Sequence, residues 1–301
     1  MKEVGVLSVT YNRLQLLQEE IESIRKQTYK KFDIIVVNNY STDGTKEWLN
    51  QQDDIHSIHV EPANIGPARA FALGMKYIAE HGYKYCWLMD DDVECYPDAL
   101  ANLYKAYHTK DNIGFVCSNV IGTDGCPMNV PKVDTRLSSN GYSDYAKYLD
   151  KSMIKVIRCT FVSMFLSCNS MYEIGMPYGE FYNWAVDTEY SLRLSLNHDS
   201  YLVGNSIVIH KRVIQGEILF ETEKDPVRLS YYRSNYRNLI FVKFKYDTKS
   251  KYEKINYLLK YLIEIMKLLI RCQFSHFLIK FQALMDFLKF NPKVVFPKLN
   301  K

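Results

Sequence analysis

Over the first 120 residues, short apolar runs alternate with stretches of helical period. Val4 to Thr10 is a β-favouring run closed by Tyr11-Asn12. Beyond it Leu16, Leu17, Ile21 and Ile24 recur at helical spacing, which predicts a helix to about Gln27. Phe32 to Val37 predicts a second strand, running into the turn-forming stretch Asn38 to Thr45. A short helix over Thr45 to Gln51 and a strand over Ile55 to Val60 follow. Pro67 opens a helix carrying Phe71, Met75 and Ile78 that stops by Gly82. Proline suits a first helical turn, where its missing N–H has no partner to lose. Tyr85 to Met89 predicts a fourth strand, Pro97 opens a helix to about Tyr107, and Ile113 to Ser118 predicts a fifth strand. Buried strands alternating with helices predict an α/β class, a doubly wound, Rossmann-like and mostly parallel sheet with flanking helices. No G-x-G-x-x-G follows the first strand, so a dinucleotide fingerprint is absent.

The regularity dissolves between Gly122 and Asp150, a polar segment long enough to carry function if it is ordered. Val156 to Ser167 then predicts a strand, Met176 to Trp184 an aromatic loop, and Asp187 to Leu196 a helix with Asp187 at its N-terminus. Tyr201 to Ile209 predicts the last strand, ending at His210. Past residue 228 the pattern is helical and amphipathic, with Lys260, Glu264, Lys267 and Arg271 on one narrow polar stripe. The expected division is residues 1–118, 119–227 and a helical tail, 228–301.

Charge changes this picture at the tail. The net charge is +4, but residues 241–301 hold thirteen Lys or Arg against four Asp or Glu, which leaves an acidic body. That asymmetry argues against a nucleic-acid binder. Two amphipathic helices with basic flanks predict peripheral membrane contact; packing on the body or in a homo-oligomer is the competing reading. No uncharged run approaches the ~20 residues needed to span a bilayer. The seven cysteines are scattered, without a C-x-x-C pair, as expected of reduced thiols in the cytoplasm rather than a disulfide framework or zinc site. The first residues lack the charged and apolar pattern of a signal peptide, so the expected location is cytoplasmic, at the inner face of the membrane.

The candidate chemistry centres on Asp90-Asp91-Asp92, at the carboxyl end of the fourth strand. Open α/β sheets bind ligands at that end. Three adjacent carboxylates repel one another, and a hard divalent cation, Mn2+ or Mg2+, compensates them. An acidic surface turn is the alternative.

Four stretches in order, Val6 to Arg13, Ile35 to Thr45, Asn64 to Arg69 and Asp90 to Asp92, together resemble the family 2 glycosyltransferases of GT-A fold. The stretch Asn183 to Arg193 is similar to that family's acceptor-side motif, most of all in bacterial rhamnosyl- and galactofuranosyltransferases. The resemblance implies an inverting transfer of a sugar from a nucleotide donor, UDP- or dTDP-linked, to a glycan or lipid-linked acceptor in bacterial surface polysaccharide synthesis. It implies donor contacts from Thr10, Tyr11, Asn12, Arg13, Asn38, Asn64, Gly66, Arg69, Asp90 and Asp91, with Asp91 toward the ribose. It implies metal ligands in Asp90, Asp92 and His210, a catalytic base in Asp187, and acceptor contacts from Trp184 and Glu189. Departures are Asn38 and Val186, where the family often has Asp, and Pro67 in place of a glycine.

Each assignment has a plainer counterpart. Asp187 also suits a helix cap, Glu189 a partner for Arg193, Trp184 a core position, Arg69 a surface helix and His210 a structural role. A sugar nucleotidyltransferase shares the sheet and the carboxylates, but Ser8 to Arg13 lacks its Gly-rich triphosphate loop. A non-catalytic membrane scaffold would keep the fold and dispense with Asp187.

Overall fold

The computed structural model describes residues 3–212, 219–248 and 250–298. The chain forms two compact units, one of residues 1–179, 187–215 and 294–301, the other of residues 180–186 and 216–293. The expected boundary at residue 118 falls inside a strand of the first unit, because the sheet runs on without a break. The helical unit also recruits residues 180–186, far from residue 228 in sequence, since their aromatic side chains pack in its core.

The first unit is built on one sheet. β1 (Val4–Thr10), β2 (Phe32–Asn38), β3 (Ile55–His59) and β4 (Tyr85–Asp90) are parallel, in the order β3-β2-β1-β4. Every position of β1 is buried, as expected for a strand covered on both faces. Leu17, Ile21 and Ile24 of α1 (Leu14–Arg25) and Phe71, Met75 and Ile78 of α3 (Pro67–Glu80) supply the buried helical faces. Between α1 and α3 lies the short α2 (Thr45–Leu49). Gly74 lets α3 approach β1, since a Cβ there would run into Leu7.

The sheet then continues β4-β9-β6-β10-β8-β7. These strands are β5 (Val93–Cys95), which pairs with β10, then β6 (Ile113–Gly122), β7 (Lys132–Val133), β8 (Met153–Arg158), β9 (Met164–Ser167) and β10 (Asp199–His210). The parallel pattern holds through β4; β9 then enters antiparallel to both β4 and β6, which makes the whole sheet mixed. The single strand expected over Val156 to Ser167 is two strands on different neighbours, because residues 159–163 turn between them with Phe161 and Val162 buried. Around the sheet lie α4 (Ala99–Tyr107), α5 (Cys168–Ile174) and α6 (Val186–Ser195). All seven cysteines are free.

The second unit contains α7 (Pro226–Val242), α8 (Lys251–Ile270) and α9 (Phe274–Phe287). Asp225 caps α7, and Ser250 with Glu253 forms a reciprocal capping box at α8. Its core joins Ile240, Tyr261, Ile265 and Leu284, with a second cluster of Phe220, Tyr232 and Leu268. No helix among the described residues is long and apolar enough to cross a membrane.

Candidate active site

The register of the parallel strands brings the predicted residues to one edge. Thr10 lies opposite Asn38, Asn38 opposite His59, and Val9 opposite Asp90. Asparagines then tie the loops above that edge together. Asn38 is buried and accepts from the Ser41 N–H at 3.0 Å. Asn39 donates to Asn64 at 2.9 Å, and the same Asn64 oxygen accepts from the Gly66 N–H at 2.8 Å. Gly66 precedes α3 with φ of 82°, a left-handed value that glycine adopts without strain. Asn12 accepts from the Thr42 N–H at 2.7 Å, and Asp43 accepts from the Leu14 N–H at the start of α1. Asn12, Asn38 and Asn64 thus spend side-chain atoms on loop architecture, while Tyr11 and Arg69 stand exposed beside them.

The acid triad splits by partner. Arg13 Nη1 reaches Asp91 Oδ1 at 3.1 Å and Asp92 Oδ2 at 2.9 Å. Asp92 Oδ1 faces His210 Nε2 at 3.0 Å. Among the described residues, Asp90, Asp92 and His210 are the group able to hold a metal ion, with ligand atoms within 4.8 Å of one another. Burial, reinforced by Asp92, pushes Asp90 up to about 7. Burial also lifts Asp91 to about 6 against the pull of Arg13. Burial works against the charge on Asp92 as well, but His210 and Arg13 outweigh it and hold that carboxyl below its usual range.

The donor set fits a divalent cation. His210 Nδ1 sits 2.9 Å from Asn129 Oδ1. An amide oxygen only accepts, so Nδ1 carries a proton, which leaves Nε2 facing Asp92. At 3.0 Å from the carboxylate oxygen, Nε2 either donates a second proton to Asp92 or, in the neutral ring, turns its lone pair to a cation shared with the carboxylates. Two carboxylates and an imidazole suit Mn2+ or Mg2+.

Asp187 lies in the first turn of α6, partly buried, and its Oδ1 accepts from the Thr188 N–H at 2.6 Å. Burial raises its pKa despite that bond. Its charge is also among those that raise Asp90, so base candidate and triad share one electrostatic site.

Glu189 faces the interior of the first unit. It is fully buried, and its Oε1 lies 3.0 Å from Nε of Arg193. Arg193 in turn donates to the carbonyls of Ile174 and Met176 at 2.6 and 3.0 Å. Of the two readings of Glu189, the structure shows the partner of Arg193. Trp184, within the second unit, packs edge-on against Tyr231 and Tyr232, and its carbonyl accepts from Asn238. It is a packing residue there, only partly exposed.

Two residues of the site were not singled out by the sequence. Asn129, which orients His210, sits in the irregular segment 122–150 with nothing to mark it. Glu20 of α1 is buried behind the triad, and its Oε2 accepts from the Ser8 hydroxyl at 2.7 Å. Burial holds the Glu20 pKa well above the carboxylate range, and the three aspartates add to the shift. Its place on the apolar face of α1, one residue before Ile21, was the available clue.

The model of the family described as glycosyl transferase family 2 matches residues 6–171. The chain is 24% identical over 225 residues to the galactofuranosyltransferase GlfT1 of Mycolicibacterium smegmatis, covering 73% of this chain and 68% of that protein. It is 32% identical over 139 residues to the uncharacterized glycosyltransferase RP339 of Rickettsia prowazekii, over 45% of this chain and 42% of that one. With the abequosyltransferase RfbV of Salmonella typhimurium it shares 31% over 114 residues, 36% of this chain and 33% of the other. The match thus spans less than half the length of several of its curated relatives. Among solved structures, S. aureus TarS in complex with UDP is similar at a TM-score of 0.57 and 14% identity, over 82% of this chain and 67% of that one. GalNAc-T7 with UDP, GalNAc and Mn2+ is similar at 0.59 and 14%, over 79% of this chain and 48% of that one. At these identities the structures report the fold.

Proposed function

Because this chain belongs to glycosyl transferase family 2, we propose that it moves a sugar from a nucleoside diphosphate to a hydroxyl of a glycan or lipid-linked acceptor, with inversion. The observation that carries this reading is the meeting of Asp90, Asp92 and His210 at the carboxyl ends of β4 and β10, with the Asp187 charge felt at Asp90. When bound, a divalent metal, Mn2+ or Mg2+, supplies the Lewis acid that a leaving diphosphate needs. Asp187 takes the proton of the acceptor hydroxyl as its oxygen bonds to the anomeric carbon and the bond to the diphosphate breaks. Its raised pKa makes it a stronger base than an exposed aspartate. Thr10 and Asp91 face the nucleoside, and Arg13 and Arg69 stand where phosphate charge arrives.

UDP is the first nucleotide to test, since it accompanies both TarS and GalNAc-T7 in their structures, with dTDP the second. The galactofuranosyl- and abequosyltransferase relatives support a role in bacterial surface polysaccharide synthesis. The free thiols suit a reaction in the reducing cytoplasm.

The test is thermal unfolding with UDP, dTDP, GDP and CMP, each with and without Mn2+. One nucleotide with Mn2+ is expected to stabilise the fold by about 2.7 kcal/mol at a hundredfold excess over Kd. No stabilisation in any combination would overturn the donor reading. In Asp187→Asn the nucleotide shift should persist while transfer falls by about 100-fold or more; undiminished transfer would remove Asp187 as the base.

A further inference from the structure

We propose that the exposed apolar faces of α8 and α9 dock on the surface of an anionic lipid bilayer. α8 is apolar on two sides. Tyr261, Ile265 and Leu268 are buried in the helical core. Ile255, Leu259, Leu262, Ile263, Met266 and Ile270 are exposed, and at the helical rotation per residue they fall within an arc of about 100°. Ile270 is 80% exposed. On α9, Phe274, Leu278, Phe281, Met285 and Leu288 repeat every three or four residues and are exposed as well. Soluble surfaces scatter such residues singly; two continuous stripes on successive helices mark an interface.

Charge selects the partner. Residues 250–293 carry eight Lys or Arg against three Asp or Glu. Lys260, Lys267 and Arg271 are exposed in a row beside the α8 stripe. A second copy of this surface would bring like charges together, whereas anionic headgroups complement them. No helix among the described residues can cross a bilayer, so the pair lies in the interfacial plane, apolar stripes down. The surface is independent of the donor site, and its test needs no transfer reaction.

The test is co-sedimentation of the full chain with vesicles of phosphatidylcholine alone or mixed with phosphatidylglycerol. Binding to the anionic vesicles, at least about tenfold stronger and weakened by salt, is expected. The triple variant Lys260→Glu, Lys267→Glu, Arg271→Glu and the double variant Ile263→Glu, Ile270→Glu should each lower partitioning about tenfold or more, with circular dichroism and the nucleotide-induced thermal shift unchanged. Equal binding to both vesicles, or none, would overturn the proposal. So would lipid-free dimerisation abolished by the double variant, which would assign the stripes to a second copy.

Discussion

Arg13 and Arg193 both pair with carboxylates in the first unit, in opposite surroundings. The Arg193 side chain is 10% exposed and Glu189 not at all. The guanidinium also lies over the rings of Tyr178 and Tyr190, 4.9 and 5.2 Å from their centres. Two backbone carbonyls take up further donors, so α6 is pinned to the segment after α5. The Arg13 side chain is 48% exposed, and it bridges Asp91 and Asp92 from the solvent side. A buried pair whose guanidinium also bonds two backbone carbonyls fixes a backbone. A half-exposed pair over an acid cluster holds charge only until a better partner arrives. The first arrangement holds the framework in place, and the second stays open to solvent.

Arg193→Met tests the fixed pair hardest. It strands the Glu189 charge in the interior, and about 3–5 kcal/mol of stability should be lost in chemical denaturation. A loss below about 1 kcal/mol would break the contrast. Asp92→Asn removes the carboxylate that both Arg13 and His210 address, and Mn2+ affinity measured by calorimetry should fall about 100-fold; retained affinity would detach the metal from this cluster.

Glu20→Gln sharpens the contrast with a buried carboxyl whose Oε2 takes the Ser8 hydroxyl in place of a guanidinium. Its folded pKa is raised, so the unfolded chain ionises first as pH increases, and Glu20 costs more stability toward neutral pH. The variant should match the parent in acid and become the more stable one as pH rises above the usual carboxylate range. A constant difference across that range would show Glu20 to be ionised when folded. Arg13→Met is the mildest change, with less than about 1 kcal/mol of stability at stake, while the Kd for nucleoside diphosphate should rise. A large loss of stability would place Arg13 in the same class as Arg193.

The sequence made the parallel half of the sheet legible, because a strand buried on both faces leaves an unbroken apolar run, as in Val4 to Thr10 and Tyr85 to Met89. The same signal misread Val156 to Ser167, where a buried turn is as apolar as a strand. β5 was too short to notice. The triad and His210 were legible because each closes or follows a strand, at the carboxyl end where open α/β sheets take ligands. Glu189 and Arg193 are four apart on one helix, so their pairing was visible in the spacing, but only the structure shows the pair buried. Asn129 meets His210 across 81 positions, and no local pattern records such a contact.

Among the described residues β10 is the last strand in sequence, yet it lies inside the sheet, between β6 and β8. On a ribosome, Asp90 and Asp92 emerge long before His210, and the sheet cannot close around them until that final strand threads into place. The cation site is therefore among the last features of the first unit to mature, and it waits on long-range pairings that form slowly. A nascent or truncated chain ending before residue 199 would carry the acids of the site without the strand that turns them into a chelate.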